Sequence, residues 1–231
     1  MNTLIVSQMG ELRLLRSNTL SLSVISIPPA TTKPPVGLVV ALHGWGANAQ
    51  DLASVAPLLR LHDYQFLFPN APFPQPYVRS GGWMWYSFTQ AQESLQKSHQ
   101  ELTQSKESLT DWLKSLESST GVPLSRTILC GFSQGGAMTL DVGLNLPLAG
   151  LVVLSGYLHP ITQPSAHAFP PVLIVHGRFD SVVPLSAAQK ARDTLKAMRV
   201  AVQYQEFDMG HEIRPEVLEL IQNFVTNNIS S

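Results

Sequence analysis

One cysteine in 231 residues leaves no partner for an intrachain disulfide. That excludes a small cystine-stapled scaffold and fits a reducing compartment. The residue itself, Cys130, closes the apolar run Thr127-Ile128-Leu129-Cys130, where a buried small hydrophobe is the expected role rather than redox chemistry. Charge is also scarce. Only 13% of residues are charged, 15 basic against 16 acidic, with no Lys/Arg cluster, so nucleic acid and anionic membrane surfaces are not expected partners. No stretch approaches the ~20 apolar residues of a spanning helix, so stable membrane insertion is not expected. Met1 to Arg16 lacks the basic start, apolar core and small-residue cleavage site of a secretory signal. The expectation is a cytoplasmic protein. No two histidines show metal-ligand spacing such as His-x-x-x-His, so neither a metal nor another cofactor is expected.

What is present is a large apolar fraction, 44%, enough for a sizeable core in one domain spanning residues 1–231. Leu4-Ile5-Val6, Leu12 to Leu15 and Leu20 to Ile27 are short strand-like runs, and the last alternates as a half-solvated strand does. Pro28 to Pro35 reads as a loop. From Val36 onward, buried apolar runs alternate with helical patterns. The runs are Val36 to Leu42, Gln65 to Phe68, Thr127 to Cys130, Gly150 to Ser155, Pro171 to Val175 and Val200 to Phe207. The helices are expected at about 49–60, 92–117, 137–146, 185–198 and 215–227. Continuous apolar strands separated by helices predict a mostly parallel central sheet with helices on both faces. The first strands would form its antiparallel edge. In helix 92–117 the leucines Leu95, Leu102, Leu109 and Leu116 recur every seven residues, which predicts a long helix laid on the sheet.

Gly131-Phe132-Ser133-Gln134-Gly135 stands between a strand and a helix. A Gly-x-Ser-x-Gly in that setting is a nucleophile elbow, in which the glycines let the chain double back and the serine hydroxyl stands exposed at the turn. A serine needs a base, and the base needs an acid to orient it. On such a sheet they follow in the order serine, acid, histidine, each after a strand. Asp180 follows the strand ending at Val175, and His211 follows the strand ending at Phe207. The predicted catalytic set is Ser133, Asp180 and His211. Asp208 is the rival acid, and an N-cap role is the alternative for Asp180. His62, His99, His159 and His167 have no matching partner and are expected to be solvated. His176 is expected to hydrogen-bond structurally, and His43 to order the glycine turn Gly44-Trp45-Gly46. The oxyanion of an acyl transfer needs donors; the backbone N–H groups of Gln134 and Trp45 are the candidates. Asn70 to Phe88 is an aromatic- and proline-rich loop with no regular pattern, of a length that points to a binding cleft. Trp83, Trp85 and Phe179 are the candidates for lining an apolar substrate site, with core packing the alternative for each.

Six blocks in order carry a resemblance. They are His43-Gly44-x-Gly46, Pro69-Asn70-Ala71-Pro72, Gly131 to Gly136, Leu154-Ser155-Gly156-Tyr157-Leu158, His176-Gly177-x-x-Asp180-x-Val182-Val183-Pro184 and Gly210-His211. From about Val36 onward the chain resembles the phospholipase/carboxylesterase family of α/β-hydrolases, which includes the acyl-protein thioesterases. The resemblance implies an α/β-hydrolase core with no large lid and hydrolysis of carboxylic esters or thioesters by Ser133, Asp180 and His211. It implies a small-molecule ester or thioester substrate and leaves monomer and homodimer both open. Trp45 and Ala47 depart from the family's usual His-Gly-Leu-Gly-Asp turn, and Trp85-Tyr86-Ser87 from its Trp-Phe-Asp. The alternatives are a peptidase or acyl-aminoacyl hydrolase on the same fold, or a non-catalytic protein that holds an apolar ligand.

Overall fold

A computed structural model describes residues 6–7, 10–11, 22–75, 81–88, 92–160, 168–229. Among the described residues, seven strands form the central sheet: β1 (Val24–Ile27), β2 (Gly37–Leu42), β3 (Tyr64–Pro69), β4 (Thr127–Phe132), β5 (Gly150–Leu154), β6 (Val172–Gly177) and β7 (Val202–Phe207). Their spatial order is β7-β6-β5-β4-β2-β3-β1. All neighbours run parallel except β1, which pairs antiparallel with β3 as the edge. The near-continuous apolar strands β4, β5 and β6 lie inside the sheet, where both faces are covered.

Helices α2 (Gln92–Thr120), α3 (Gln134–Gly143) and α4 (Leu185–Ala197) cover one face. Leu109, Leu113 and Leu116 of α2, Met138 and Leu140 of α3 and Leu195 of α4 pack there with Leu38, Val40, Leu129 and Ile174 of the strands. On the other face α1 (Ala49–Ala53) and α5 (Pro215–Asn228) pack Ala53, Ile221, Phe224 and Val225 against Val39, Ile128, Cys130 and Val152. Residues adjacent along a strand thus serve opposite cores, as the period of two requires. The buried Cys130 thiol is pushed up to about 12 by that burial, so it stays protonated and unreactive.

The chain runs from β2 to β3 on one side and then crosses to place β4 on the other side of β2. At such a reversal the loops leaving the two strand ends splay apart and open a crevice. The turn after β2 and the turn after β4 flank it.

Several expectations are corrected by the fold. Helix 49–60 stops at Ala53, and a separate 3-10 turn, Ala56–Leu58, follows. Pro57 within it has no N–H to continue a helical ladder. The start of α1 is fixed by a capping box between Asn48 and Asp51. Helix α2 runs on to Thr120 and ends at Gly121, whose φ is 75°. Segment 70–88 is not irregular throughout, because Phe73–Gln75 and Gly82–Met84 form an antiparallel hairpin. Among the described residues, only one N-terminal strand joins the sheet edge. Val6–Ser7 and Gly10–Glu11 pair with each other instead, and the Leu4-Ile5 and Leu12 to Leu15 runs fall outside the described residues.

The turn at the end of β4 depends on missing side chains. A Cβ on Gly135 would lie 2.2 Å from Leu42 O, and one on Gly131 would lie 2.1 Å from Gly135 O. Both neighbours are backbone and cannot swing aside. Gly135→Ala is therefore expected to destabilise the protein by at least about 2 kcal/mol, measured by urea denaturation. A midpoint equal to that of the parent would show that α3 can ride outward at little cost.

Candidate active site

Ser133 sits between β4 and α3 with φ 55° and ψ −118°, a conformation costly for any side-chain-bearing residue. It persists because the surroundings fix it from both sides. The Ser133 N–H donates to Leu154 O at 2.9 Å, and Ser133 O accepts from the Ala137 N–H at 3.2 Å, inside the first turn of α3. The N–H of Gln134 opens that helix, where the dipole favours negative charge.

Asp180 and His211 arrive on neighbouring loops because β6 and β7 are paired with Gly177 opposite Phe207. The His211 Nδ1–H donates to Asp180 Oδ2 at 2.7 Å. The other carboxylate oxygen, Oδ1, accepts from the N–H groups of Val182 (2.9 Å) and Val183 (2.8 Å). Burial pushes this carboxyl up, but the hydrogen bonds from His211, Val183 and Val182 outweigh it and hold it below the ordinary carboxylate value. Asp180 therefore caps its own loop and not a helix; α4 begins at Leu185, and its N-cap, Pro184, makes no side-chain cap. The rival acid is elsewhere. Asp208 is exposed and accepts from Arg178 Nη1 at 2.6 Å.

Two further histidines brace the site from below. His176, fully buried, donates its Nε2–H to Val183 O at 2.9 Å and stands 3.5 Å from Asp180 Oδ2. His43 donates Nδ1–H to Gly44 O at 2.7 Å and accepts the Ala71 N–H on Nε2 at 3.0 Å. Burial lowers its pKa to about 4, so it is the neutral tautomer that pins the turn after β2.

Ser133 and His211 share the wall of a cavity of about 920 Å³. Trp45, Phe88, Phe132, Leu158, Val182 and Val183 make much of that wall apolar, and Tyr157, His159 and Lys190 add polar atoms. Trp45 is at the rim, 41% exposed and 6.2 Å from the Phe88 ring. Phe132 lies against the His211 imidazole, with ring centroids 4.7 Å apart.

The three aromatic residues expected to line a substrate site are not in this wall. Trp83 uses its main chain: its N–H donates to Ala47 O and its C=O accepts from Gly46 N, both at 2.8 Å. Trp85 is completely buried and donates Nε1–H to His43 O at 3.0 Å. Phe179 points outward, 70% exposed. The first two hold the turn carrying the Trp45 N–H, rather than touching the cavity. Gln134 contributes more than a backbone donor. Its buried side chain accepts from Trp85 N at 2.9 Å and donates to Tyr86 O at 2.7 Å, which ties the elbow to the aromatic segment.

His159 is also corrected. It is not solvated but bonded on both ring nitrogens, to Asp141 Oδ2 (2.7 Å) and Tyr86 Oη (2.9 Å). His62 and His99 are exposed, whereas His167 lies outside the described residues. Among the described residues no group of three or more His, Cys, Asp or Glu side chains could hold a metal ion, and no helix is long and apolar enough to cross a membrane.

A family profile described as Phospholipase/Carboxylesterase matches residues 27–229. The chain belongs to the phospholipase/carboxylesterase family. Within that family it is 30% identical over 212 residues to acyl-protein thioesterase 1 of Neurospora crassa, covering 83% of this chain and 86% of that one. It is 28% identical over 209 residues to the carboxylesterase SOBER1 of Arabidopsis thaliana, covering 83% and 90%. Among solved structures, the esterase PE8 superposes with a TM-score of 0.80 at 29% identity, over 89% of this chain and 98% of that one. The matched region holds all seven sheet strands apart from the first residues of β1, and it includes Ser133, Asp180 and His211.

Proposed function

We propose that the serine ester hydrolysis of this family is carried here by Ser133 as nucleophile, His211 as base and Asp180 as the acid that orients it. One observation carries the reading. The carboxylate that holds His211 Nδ1 is itself locked by two backbone N–H groups, and His211 shares a cavity with a strained, half-buried serine. With Nδ1–H committed to Asp180, the neutral imidazole has its lone pair on Nε2, free to take the Ser133 proton. The serine oxygen attacks the ester carbonyl. His211 then passes the proton to the leaving alkoxide or thiolate, and water resolves the acyl-enzyme by the same route. The N–H groups of Trp45 and Gln134 are assigned to the oxyanion, from the two turns that flank the crevice between β2 and β4.

The substrate assigned is a small carboxylic ester or thioester with an apolar acyl group, since apolar side chains make most of the cavity wall. Relatives called carboxylesterase and acyl-protein thioesterase agree with that class. A cytoplasmic location belongs to the same reading, on the single, buried cysteine. The test is hydrolysis of p-nitrophenyl esters from acetate to laurate, before and after treatment with a fluorophosphonate. Turnover is expected to rise from acetate toward longer acyl chains. One fluorophosphonate adduct, mapped to Ser133, is expected to abolish it. An adduct on another residue would overturn the assignment of the nucleophile, and turnover falling steadily from acetate would remove the cavity as the acyl site.

A further inference from the structure

The apolar cavity carries one polar device outside the Ser133–His211–Asp180 set. Tyr157 and His159 both lie in its wall, and behind them runs a chain of hydrogen bonds. Asp141 Oδ2, on α3, lies 2.7 Å from His159 Nδ1, and His159 Nε2 lies 2.9 Å from Tyr86 Oη, which in turn bonds the Tyr157 hydroxyl. The three rings also pack edge-on, Tyr86 and Tyr157 each 5.3 Å from His159 between centroids. We propose that Tyr157 is a specificity-determining hydrogen-bonding residue of the substrate cavity, and that Asp141, His159 and Tyr86 are positioning residues that set whether its hydroxyl accepts or donates. The inference rests on the esterase reading of the same cavity.

The logic follows from counting protons. A carboxylate only accepts, so His159 Nδ1 carries a hydrogen. With a neutral ring, Nε2 accepts, and the Tyr86 O–H must donate to it. Tyr86 Oη then offers Tyr157 only lone pairs, so the Tyr157 O–H donates to Tyr86. What Tyr157 has left for the cavity is an acceptor. A ligand hydroxyl or N–H is its complement. Protonating His159 leaves Nδ1–H on Asp141 and reverses the two links beyond the ring: Nε2–H donates to Tyr86, Tyr86 donates to Tyr157, and the Tyr157 O–H is released to donate into the cavity.

Burial pushes the Tyr157 phenol up to about 12 and Tyr86 further in the same direction, so neither phenol ionises near neutrality. Among the described residues, the charged or titratable groups facing the device are Asp141 of α3, Lys106 of α2, whose Nζ stands 4.0 Å from Asp141 Oδ2, and Lys190 of α4 and His211 in the same cavity wall. His159 is therefore the member whose protonation changes the chain. The ligand class is an ester that carries a hydroxyl or N–H donor along its apolar portion, rather than a plain hydrocarbon ester.

The experiment compares p-nitrophenyl ω-hydroxyalkanoates with their ω-methoxy counterparts over a series of chain lengths, from about pH 5 to about pH 9. At one chain length the hydroxyl compound is expected to be favoured in kcat/KM by about threefold to tenfold at high pH, with the preference falling as pH drops. Tyr157→Phe should show no preference at any pH. Tyr86→Phe, which keeps the Tyr157 hydroxyl but cuts it from His159, should show one independent of pH. A preference absent at every length in the parent, or a pH dependence retained in Tyr86→Phe, overturns the proposal. Near-parental turnover in Ser133→Ala would instead overturn Ser133 as the nucleophile on which the inference rests, and a second measurement then stands without turnover. The imidazole nitrogen shifts of His159, followed by NMR, are expected to show the Nδ1–H tautomer of the neutral ring at the alkaline end of the range and to change in Tyr86→Phe. A neutral ring protonated on Nε2 overturns the chain.

Discussion

Ser133→Ala is expected to lower kcat/KM for p-nitrophenyl esters by about 10⁵-fold or more while leaving the fold intact. Removing the proposed nucleophile should end acyl-enzyme formation. What remains is the acceleration from oxyanion donors and binding alone, about 10³ to 10⁴ over water in comparable sites. The fold should tolerate the change because Ser133 is held by its main chain, through its N–H to Leu154 O and its C=O to the Ala137 N–H. Alanine meets the same strain as serine at φ 55°, so the stability change should stay within about 1 kcal/mol. Rate and urea midpoint should be measured on the same preparation. Near-parental turnover would place the nucleophile elsewhere. A collapsed midpoint would show that the hydroxyl holds structure rather than chemistry.

The contrast between Ser133 and Trp85 shows what could be read from the sequence. β4, β5 and β6 are uninterrupted apolar runs because both their faces are covered, and a chain alternating such runs with helices has few ways to fold. The loops leaving those strands are where functional residues are expected, so Ser133, Asp180 and His211 are proposed from position and type alone. The aromatic candidates failed for a reason of direction. Pro72, Pro74 and Pro76 hide the alternation of the hairpin Phe73–Gln75 with Gly82–Met84. Without the pairing, nothing says which way Trp83 and Trp85 face. The cavity wall instead comes from Phe132, Leu158 and Val182, one beside each of three strand ends, and no local pattern joins them. The partner of His159 is not legible locally, because its acid, Asp141, lies on α3 with the strand β5 between them. A spacing of eighteen residues has no periodicity to detect. The same limit applied to Gln134, whose place after the serine suggested a backbone donor, while the partners of its side chain lie 48 and 49 residues away.

Asp180→Asn is the second large effect, about 10⁴-fold in kcat, and it arises through the proton rather than the geometry. Asparagine retains one oxygen. That oxygen is expected to stay on the N–H groups of Val182 and Val183, because turning the amide would set its own N–H against two buried donors at about 1–3 kcal/mol for each left unpaired. The amide NH₂ then faces His211 Nδ1, which must become an acceptor, and the ring hydrogen moves to Nε2. That nitrogen can no longer take the Ser133 proton. Substrate binding, set by the cavity wall, should change little, so KM is expected to hold while kcat falls. Asp208→Asn is the control: Asp208 is exposed and paired with Arg178, and its replacement should leave kcat within about twofold. The acid limb of stability gives an independent sign. Asp180 is held below the ordinary 3.8 in the folded protein, so its ionised form contributes stability above that value, and the contribution is lost as pH falls through the lower folded value. The stability difference between parent and Asp180→Asn should therefore be full near neutrality and shrink below about pH 4. A difference that widens in acid, or a loss of kcat under about tenfold, would mean that another group orients His211.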